Sequence, residues 1–166
     1  MVSAVQRAWD VLETIPDPEI PVVSIRELGI LREINERDGE LEVVITPTYS
    51  GCPAMGQIEE DVHAALAASD LRATVVTRLA PAWTTDWITD EGKQKLRAFG
   101  IAPPHAAAAA NVVRFARPAA SLATPVPCPH CGSVNTTETS HFSSTACKAL
   151  YKCLDCLEPF DYFKPY

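Results

Sequence analysis

The chain has 166 residues, and 14 Lys and Arg against 21 Asp and Glu leave a formal net charge of −7. With 47% hydrophobic and 21% charged residues it can bury a core, which excludes wholesale disorder, and no stretch reaches the roughly 18 uninterrupted apolar residues of a membrane span. The acidic balance argues against nucleic-acid binding, because a phosphate backbone rewards a basic face.

The N-terminus lacks the basic start, apolar middle and small-residue cleavage site of an export signal, so a cytoplasmic protein is expected. Ser3 and Gln6 form a capping-box pattern, and Val5, Trp9, Leu12 and Ile15 recur at helical spacing, which predicts a helix with one apolar face, closed by Pro16. Asp17-Pro18-Glu19-Ile20-Pro21 follows as a stiff acidic loop, since each proline fixes its own φ and pushes the preceding residue out of the helical region.

Val22 to Ile25 is short and β-branched, Gly29 to Ile34 reads as a strand, and Leu41, Val43 and Ile45 alternate with Glu42, Val44 and Thr46 after an Asp38-Gly39 turn. The pattern predicts a hairpin. Gly51-Cys52-Pro53 then opens a helix with Cys52 at its N-cap, Pro53 in the first turn, and Met55, Ile58, Val62 and Leu66 on its apolar face. Leu71 to Leu79 alternates as a half-buried strand. A loop holding Trp83 and Trp87 leads to a short helix capped by Thr89, carrying Leu96 and Phe99 and ending at Gly100. The two tryptophans read as core or domain-packing residues, and Glu59-Glu60-Asp61 as a solvated helix face.

The expected fold class is α+β: a small mixed sheet of three or four strands with helices packed on one face, followed by a small C-terminal zinc ribbon. We place the first domain at residues 1–100, a Pro/Ala-rich linker with one strand candidate at Val112 to Phe115 at 101–127, and the ribbon at 128–166. So short a segment as the last cannot build a self-sufficient core and needs a staple.

The cysteines supply that staple. Cys128-Pro129-His130-Cys131-Gly132 and Cys153-Leu154-Asp155-Cys156 are two Cys-x-x-Cys knuckles whose thiolates can converge on one tetrahedral ion, predicted to be a structural zinc. His130 and His141 are not needed as ligands, Cys147 reads as a small buried apolar residue, and Phe160, Tyr162 and Phe163 as core or a contact surface.

Cys52 at a helix start is a candidate reactive thiol, because the helix dipole and free N–H groups there favour a thiolate. If Asp17 and Glu19 fold beside it, their charges oppose ionisation but suit a bound cation, so the trio reads as a candidate metal-handling site. A cysteine hydrolase needs a histidine base, and neither His63, on the solvated side of its helix, nor His105, in the linker, is placed for that work.

Four motifs together, Ile15-Pro16-Asp17-Pro18-Glu19-Ile20-Pro21, Thr46 to Pro53, Pro81 to Trp87 and Ser144 to Tyr151, resemble the PaaD (PaaJ) family over nearly the whole chain. Members of that family are small subunits encoded with bacterial phenylacetyl-CoA epoxidase, a ring-epoxidising di-iron monooxygenase of phenylacetate degradation. The N-terminal part is similar to the wider iron-sulfur assembly family that includes SufT, whose recurring features match Asp17, Glu19 and Cys52, with Glu27 where that family usually has Asp.

The resemblance implies a noncatalytic accessory subunit that matures the epoxidase, installing iron or an iron-sulfur cluster, with the oxygenase and reductase subunits as partners. One N-terminal thiol cannot by itself complete a four-thiolate cluster, so a transient cluster shared by Cys52 of both chains of a homodimer is expected. The alternative is an adapter holding oxygenase and reductase together without handling metal. A nucleic-acid-binding ribbon is disfavoured because Lys148, Lys152 and Lys164 face Glu138, Asp155, Glu158 and Asp161.

Overall fold

The computed structural model describes residues 2–105 and 124–166, which include no helix long and apolar enough to cross a membrane. The first helix, α1 (Ala4–Leu12), begins as its cap predicts: Ser3 Oγ accepts the Gln6 N–H at 3.1 Å. The box stays one-sided, because the Gln6 side chain reaches Asp10 Oδ1 instead of returning to Ser3. Ala8 and Leu12 are fully buried, and Val5 and Trp9 half-buried.

The acidic loop is rigid for a reason beyond its prolines. Asp17 Oδ1 accepts the N–H groups of both Glu19 and Ile20, at 2.9 and 2.8 Å, and the Asp17 N–H bonds Val23 O at 2.9 Å. Pro16 and Ser24 form an isolated bridge, so Val22 to Ile25 closes a loop and is not a strand of a sheet.

The hairpin forms as expected from β1 (Leu31–Arg37) and β2 (Glu40–Ile45), with Asp38 and Gly39 both at positive φ, +52° and +81°, as a two-residue turn between paired Arg37 and Glu40 requires. The first strand starts at Leu31 and not at Gly29, whose φ of +73° breaks extended backbone. A crossover through α2 (Met55–Ala68) brings β3 (Ala73–Thr77) parallel to β2, so the sheet is mixed, in the order β1-β2-β3.

Both helices cover one face, since α1 packs on α2 and β1 while α2 packs on β3. Leu41, Val43 and Ile45 of β2 and Ile58, Val62 and Leu66 of α2 are all buried, each such side chain contributing about 1.5–3 kcal/mol. On the opposite face Arg78 Nη1 bonds Glu33 Oε1 at 2.9 Å, an ion pair that spans β2 above the fully buried Val44.

The tryptophan loop closes the first unit. Trp83 is buried and its Nε1–H donates to Leu28 O at 2.9 Å, while Trp87 backs onto Gly29 and carries the Arg32 guanidinium 3.5 Å from its ring centroid. Thr89 Oγ1 accepts the Gly92 N–H at 3.0 Å and so caps α3 (Asp90–Phe99), which ends at Gly100 with φ +92°. By internal contacts the chain divides within this helix, into Met1–Lys95 and Leu96–Tyr166.

The second unit is built on a four-stranded sheet. Its members are β4 (Ile101–Ala102), β5 (Thr136–Ser140), β6 (Lys148–Cys153) and β7 (Pro159–Phe163), in the order β4-β7-β6-β5. Ile101 and Ala102, at the start of the expected linker, pair with Asp161 and Tyr162 of the ribbon. The strand candidate at residues 112–115 lies outside the described residues. Ala102, Val126, Cys128, Cys153, Phe160 and Tyr162 form a core cluster, and Phe163 is buried as well, so all three aromatics are packing residues. Beside it the buried Lys148 ammonium pairs with Asp161 Oδ2 at 3.2 Å.

Candidate functional site

The two knuckles share a closing backbone bond, and the first adds a Gly132 N–H to Cys128 O bond at 2.9 Å. In the first, the Cys128 N–H bonds Ser133 O at 2.8 Å; in the second, the Cys153 N–H bonds Glu158 O at 3.0 Å. Each loop turns through a residue at positive φ just after its second cysteine, Gly132 at +78° and Leu157 at +66°. The long gap between Cys131 and Cys153 is taken up by the β5–β6 hairpin, which carries one knuckle to the other.

The result is a four-thiol cluster. The sulfurs of Cys128, Cys131, Cys153 and Cys156 all lie within 4.8 Å of one another, with Cys128–Cys156 at 3.8 Å and Cys131–Cys153 at 3.6 Å. A tetrahedron with metal–sulfur bonds of about 2.3 Å has edges of about 3.8 Å, so the donor set fits a tetrahedral ion such as zinc, and thiolate-bound iron shares the same chemistry. The Cys156 and Asp155 N–H groups, with the neighbouring thiols, outweigh burial and hold the Cys153 thiol down to about 7. The Glu158 N–H also favours the Cys156 thiolate, but burial and hydrogen bonding with the other three thiols outweigh it and push that group up to about 12. Four thiolates this close repel one another, and a bound cation offsets that repulsion.

The knuckles are also tied together by groups that are not ligands. Asp155 accepts Asn135 Nδ2–H at 2.8 Å on one oxygen and the Ser133 hydroxyl on the other, and both bonds hold its carboxyl below the usual range. The Leu154 N–H adds a bond to Asn135 O at 2.9 Å. Cysteine spacing reveals the four sulfurs; this clasp depends on side chains about twenty residues apart and carries no such signature.

Cys52 lies in the first unit and is half-buried. It is not the N-cap of α2: that position is Ala54, and Cys52 sits in the preceding turn, its N–H bonded to Tyr49 O at 3.2 Å and its C=O accepting from Met55 N–H at 3.4 Å. Pro53 belongs to the turn, so the α-helical ladder begins at Met55 and the dipole acts on the thiol from farther away than the sequence suggests.

Ile25 N–H bonds Ile15 O, Leu31 N–H bonds Ile25 O, and Thr46 N–H bonds Ile30 O, so Ile15, just before the acidic loop, and Thr46, where the chain leaves β2, are both tied to residues 25–31. Asp17 is buried and Glu19 half-buried.

Glu27 is held elsewhere. Burial raises its carboxyl, but Lys95 Nζ at 2.5 Å and the Ser24 N–H at 2.8 Å prevail and lower it. It lines an open cleft of about 420 Å³ with Glu13, Arg26 and Glu91, a lining that includes none of Cys52, Asp17 and Glu19. His63 is exposed, as read from the sequence, His130 is exposed too, and Cys147 is buried, its sulfur 3.0 Å from Thr145 Oγ1.

Comparison with known proteins follows this division. Residues 6–77 match an iron-sulfur cluster assembly protein family, and residues 116–164 match the PaaD zinc beta ribbon domain. A Bacillus subtilis (strain 168) protein named Fe-S protein maturation auxiliary factor YitW is 33% identical over 81 residues, covering 48% of this chain and 76% of that protein. A solved structure from Bacillus anthracis, a domain of unknown function of the DUF59 type, superposes with a TM-score of 0.52 at 26% identity, over 56% of this chain and 91% of its own. Along almost the full length, an Escherichia coli (strain K12) protein named as a subunit of 1,2-phenylacetyl-CoA epoxidase is 45% identical over 161 residues, 96% of this chain and 92% of that protein. An assembly-type α+β domain and a four-cysteine ribbon, joined in this order and matched end to end, make the chain a member of the PaaD family of phenylacetyl-CoA epoxidase subunits.

Proposed function

We propose that the protein is a noncatalytic accessory subunit of a phenylacetyl-CoA epoxidase system in phenylacetate degradation, and that it matures the enzyme by delivering iron or an iron-sulfur cluster. The observation that carries this reading is the position of Cys52. It is a half-buried thiol in the turn before α2, in the same unit as the Asp17 loop and in a unit separate from the four cysteines of the ribbon.

In this reading Cys52 is the transfer ligand. Asp17 shapes the acidic loop through its bonds to the Glu19 and Ile20 N–H groups, and its charge with that of Glu19 favours a cation near the thiol. Cys128, Cys131, Cys153 and Cys156 hold a structural zinc that closes the ribbon. One thiol per chain makes a shared cluster the natural cargo state, with two copies of Cys52 in a homodimer. The oxygenase and reductase subunits are the clients, and the domains act as 1–100 for metal handling and 128–166 for the ribbon, in the cytoplasm.

The test is co-expression of the epoxidase with wild-type protein or Cys52→Ser, followed by iron and sulfide analysis and turnover of the purified epoxidase. A mature, active epoxidase only with the wild type is the expected result. Full metallation with Cys52→Ser rejects the maturation role and leaves the adapter role, a stable complex that does not depend on Cys52.

A further inference from the structure

Leu157 is a misfit in its own turn. The two knuckles share the bond from the first cysteine's N–H to the carbonyl five residues on, and at the position after the second cysteine the first uses Gly132, φ +78°, where a missing Cβ makes the left-handed region free of strain. The second places Leu157 there at φ +66°, a conformation that a branched, bulky side chain rarely adopts. Burial does not compensate, because Leu157 is 63% exposed. A residue that is strained in the backbone and wet in the side chain does nothing for this fold that glycine would not do better.

It has company. Leu154, in the same knuckle, is 48% exposed, and its N–H bond to Asn135 O sets it beside the first knuckle, where Val134 is 60% exposed. All three belong to the loops that carry or follow the cysteines, at the metal end of the ribbon, where Cys131 is also exposed. The two loops, residues 129–135 and 154–158, hold Asp155 and Glu158, both exposed, and no Lys or Arg; the exposed Lys152 stands on β6 before Cys153.

We infer that the knuckle end of the ribbon, with Leu154 and Leu157 as anchors and Val134 beside them, is a docking surface for a protein partner that presents an apolar groove with a basic rim. Charge decides among occupants. A second copy of this chain, at −7 overall, would bring the same carboxylates face to face, and a nucleic acid or anionic membrane would meet Asp155 and Glu158 with like charge. The inference rests on the reading of the chain as an accessory subunit, since that reading supplies the candidate partners. It does not depend on Cys52 or on metal transfer.

The experiment measures binding of the full-length, metal-loaded protein to the purified oxygenase and reductase subunits of a phenylacetyl-CoA epoxidase, at low and at physiological salt, for wild type, Leu154→Ser and Leu157→Gly. Wild type binds one of them, more weakly as salt rises. Leu157→Gly keeps its metal and melts at or above the wild-type temperature while its affinity falls at least tenfold, and Leu154→Ser loses affinity similarly. The proposal is overturned if either variant binds as tightly as wild type or if wild type binds neither subunit. It is also overturned if Leu157→Gly loses metal or melts lower, which would assign the leucine to the fold, or if the variants abolish a self-association, which would assign the surface to a second copy. A maturation role that fails the Cys52→Ser test leaves all of these readings intact.

Discussion

Asp155 and Asn135 bind one knuckle of the ribbon to the other, carboxylate to side-chain amide at 2.8 Å, with no sulfur involved. Ser133 completes the clasp on the second carboxylate oxygen. Because these bonds hold the four thiols at ligand spacing, they contribute pre-organisation to metal binding. Asp155→Ala is expected to speed metal release from the zinc-loaded protein to a chelator by about 10–100-fold. Asn135→Ala should give a smaller effect, and the double variant should fall well short of the product of the two. Release rates followed with a colorimetric zinc indicator check this, and unchanged rates would mean the clasp is ornamental.

Gly29 is the least replaceable glycine in the first unit. A Cβ at that position would stand 2.6 Å from Trp87 Cβ and 2.8 Å from Trp87 O, and its φ of +73° adds backbone strain. Gly29→Ala is expected to cost about 2–4 kcal/mol, read as a lowered midpoint in urea with an unchanged slope. Gly39, at φ +81° with open space around it, supplies the contrast: strain without a clash, and a cost near 1 kcal/mol, about that of one left-handed non-glycine residue.

Trp83 tests how the tryptophan loop is held. Trp83→Phe keeps most of the buried ring but leaves Leu28 O without the Nε1–H donor now 2.9 Å away. A loss of about 1–3 kcal/mol is expected from the unpaired buried carbonyl, measured as the shift in the urea midpoint.

The Glu27–Lys95 pair gives the first unit a pH signature. Burial opposes the Glu27 charge, but Lys95 and the Ser24 N–H lower its pKa below the ordinary value of 4.5. A carboxyl depressed in the folded state adds stability above its unfolded pKa and loses it as pH falls through the folded one. Glu27→Gln should therefore melt lower than wild type at neutral pH, and the two melting curves should converge at a pH below the carboxylate range. A gap that persists in acid would show that packing, and not charge, sets the effect.

The sequence was most legible where a feature is local. The Asp38-Gly39 turn, the Ser3 cap, the Thr89 cap and the knuckle spacing are each written in fewer than ten consecutive residues, so propensity and geometry suffice. It was less legible where a feature needs a distant partner. Ile101 and Ala102 become a strand only because β7 lies beside them, Glu27 is fixed by a lysine 68 residues on, and Asp155 by two residues about twenty before it. The misplaced start of α2 has a local cause: Pro53 fits both the first turn of a helix and the turn before one, and the bond from Met55 N–H to Cys52 O decides for the second.

Of the candidate site, the four ribbon cysteines were readable as ligands and are found together, within 4.8 Å. Leu157 was invisible beforehand, since nothing in Cys-Leu-Asp-Cys-Leu announces a positive φ. It stands out only when its knuckle is laid against the one that uses Gly132.

The proposed function assigns this chain two kinds of metal chemistry, one structural at the ribbon and one transferable at Cys52. The most direct measurement is zinc, iron and acid-labile sulfide per chain after purification and reconstitution without oxygen, for wild type and Cys52→Ser. The account predicts about one zinc per chain in both, with iron and sulfide near one two-iron cluster per two chains in the wild type and none in the variant. About one zinc and no iron in the reconstituted wild type would contradict it and leave the protein an adapter.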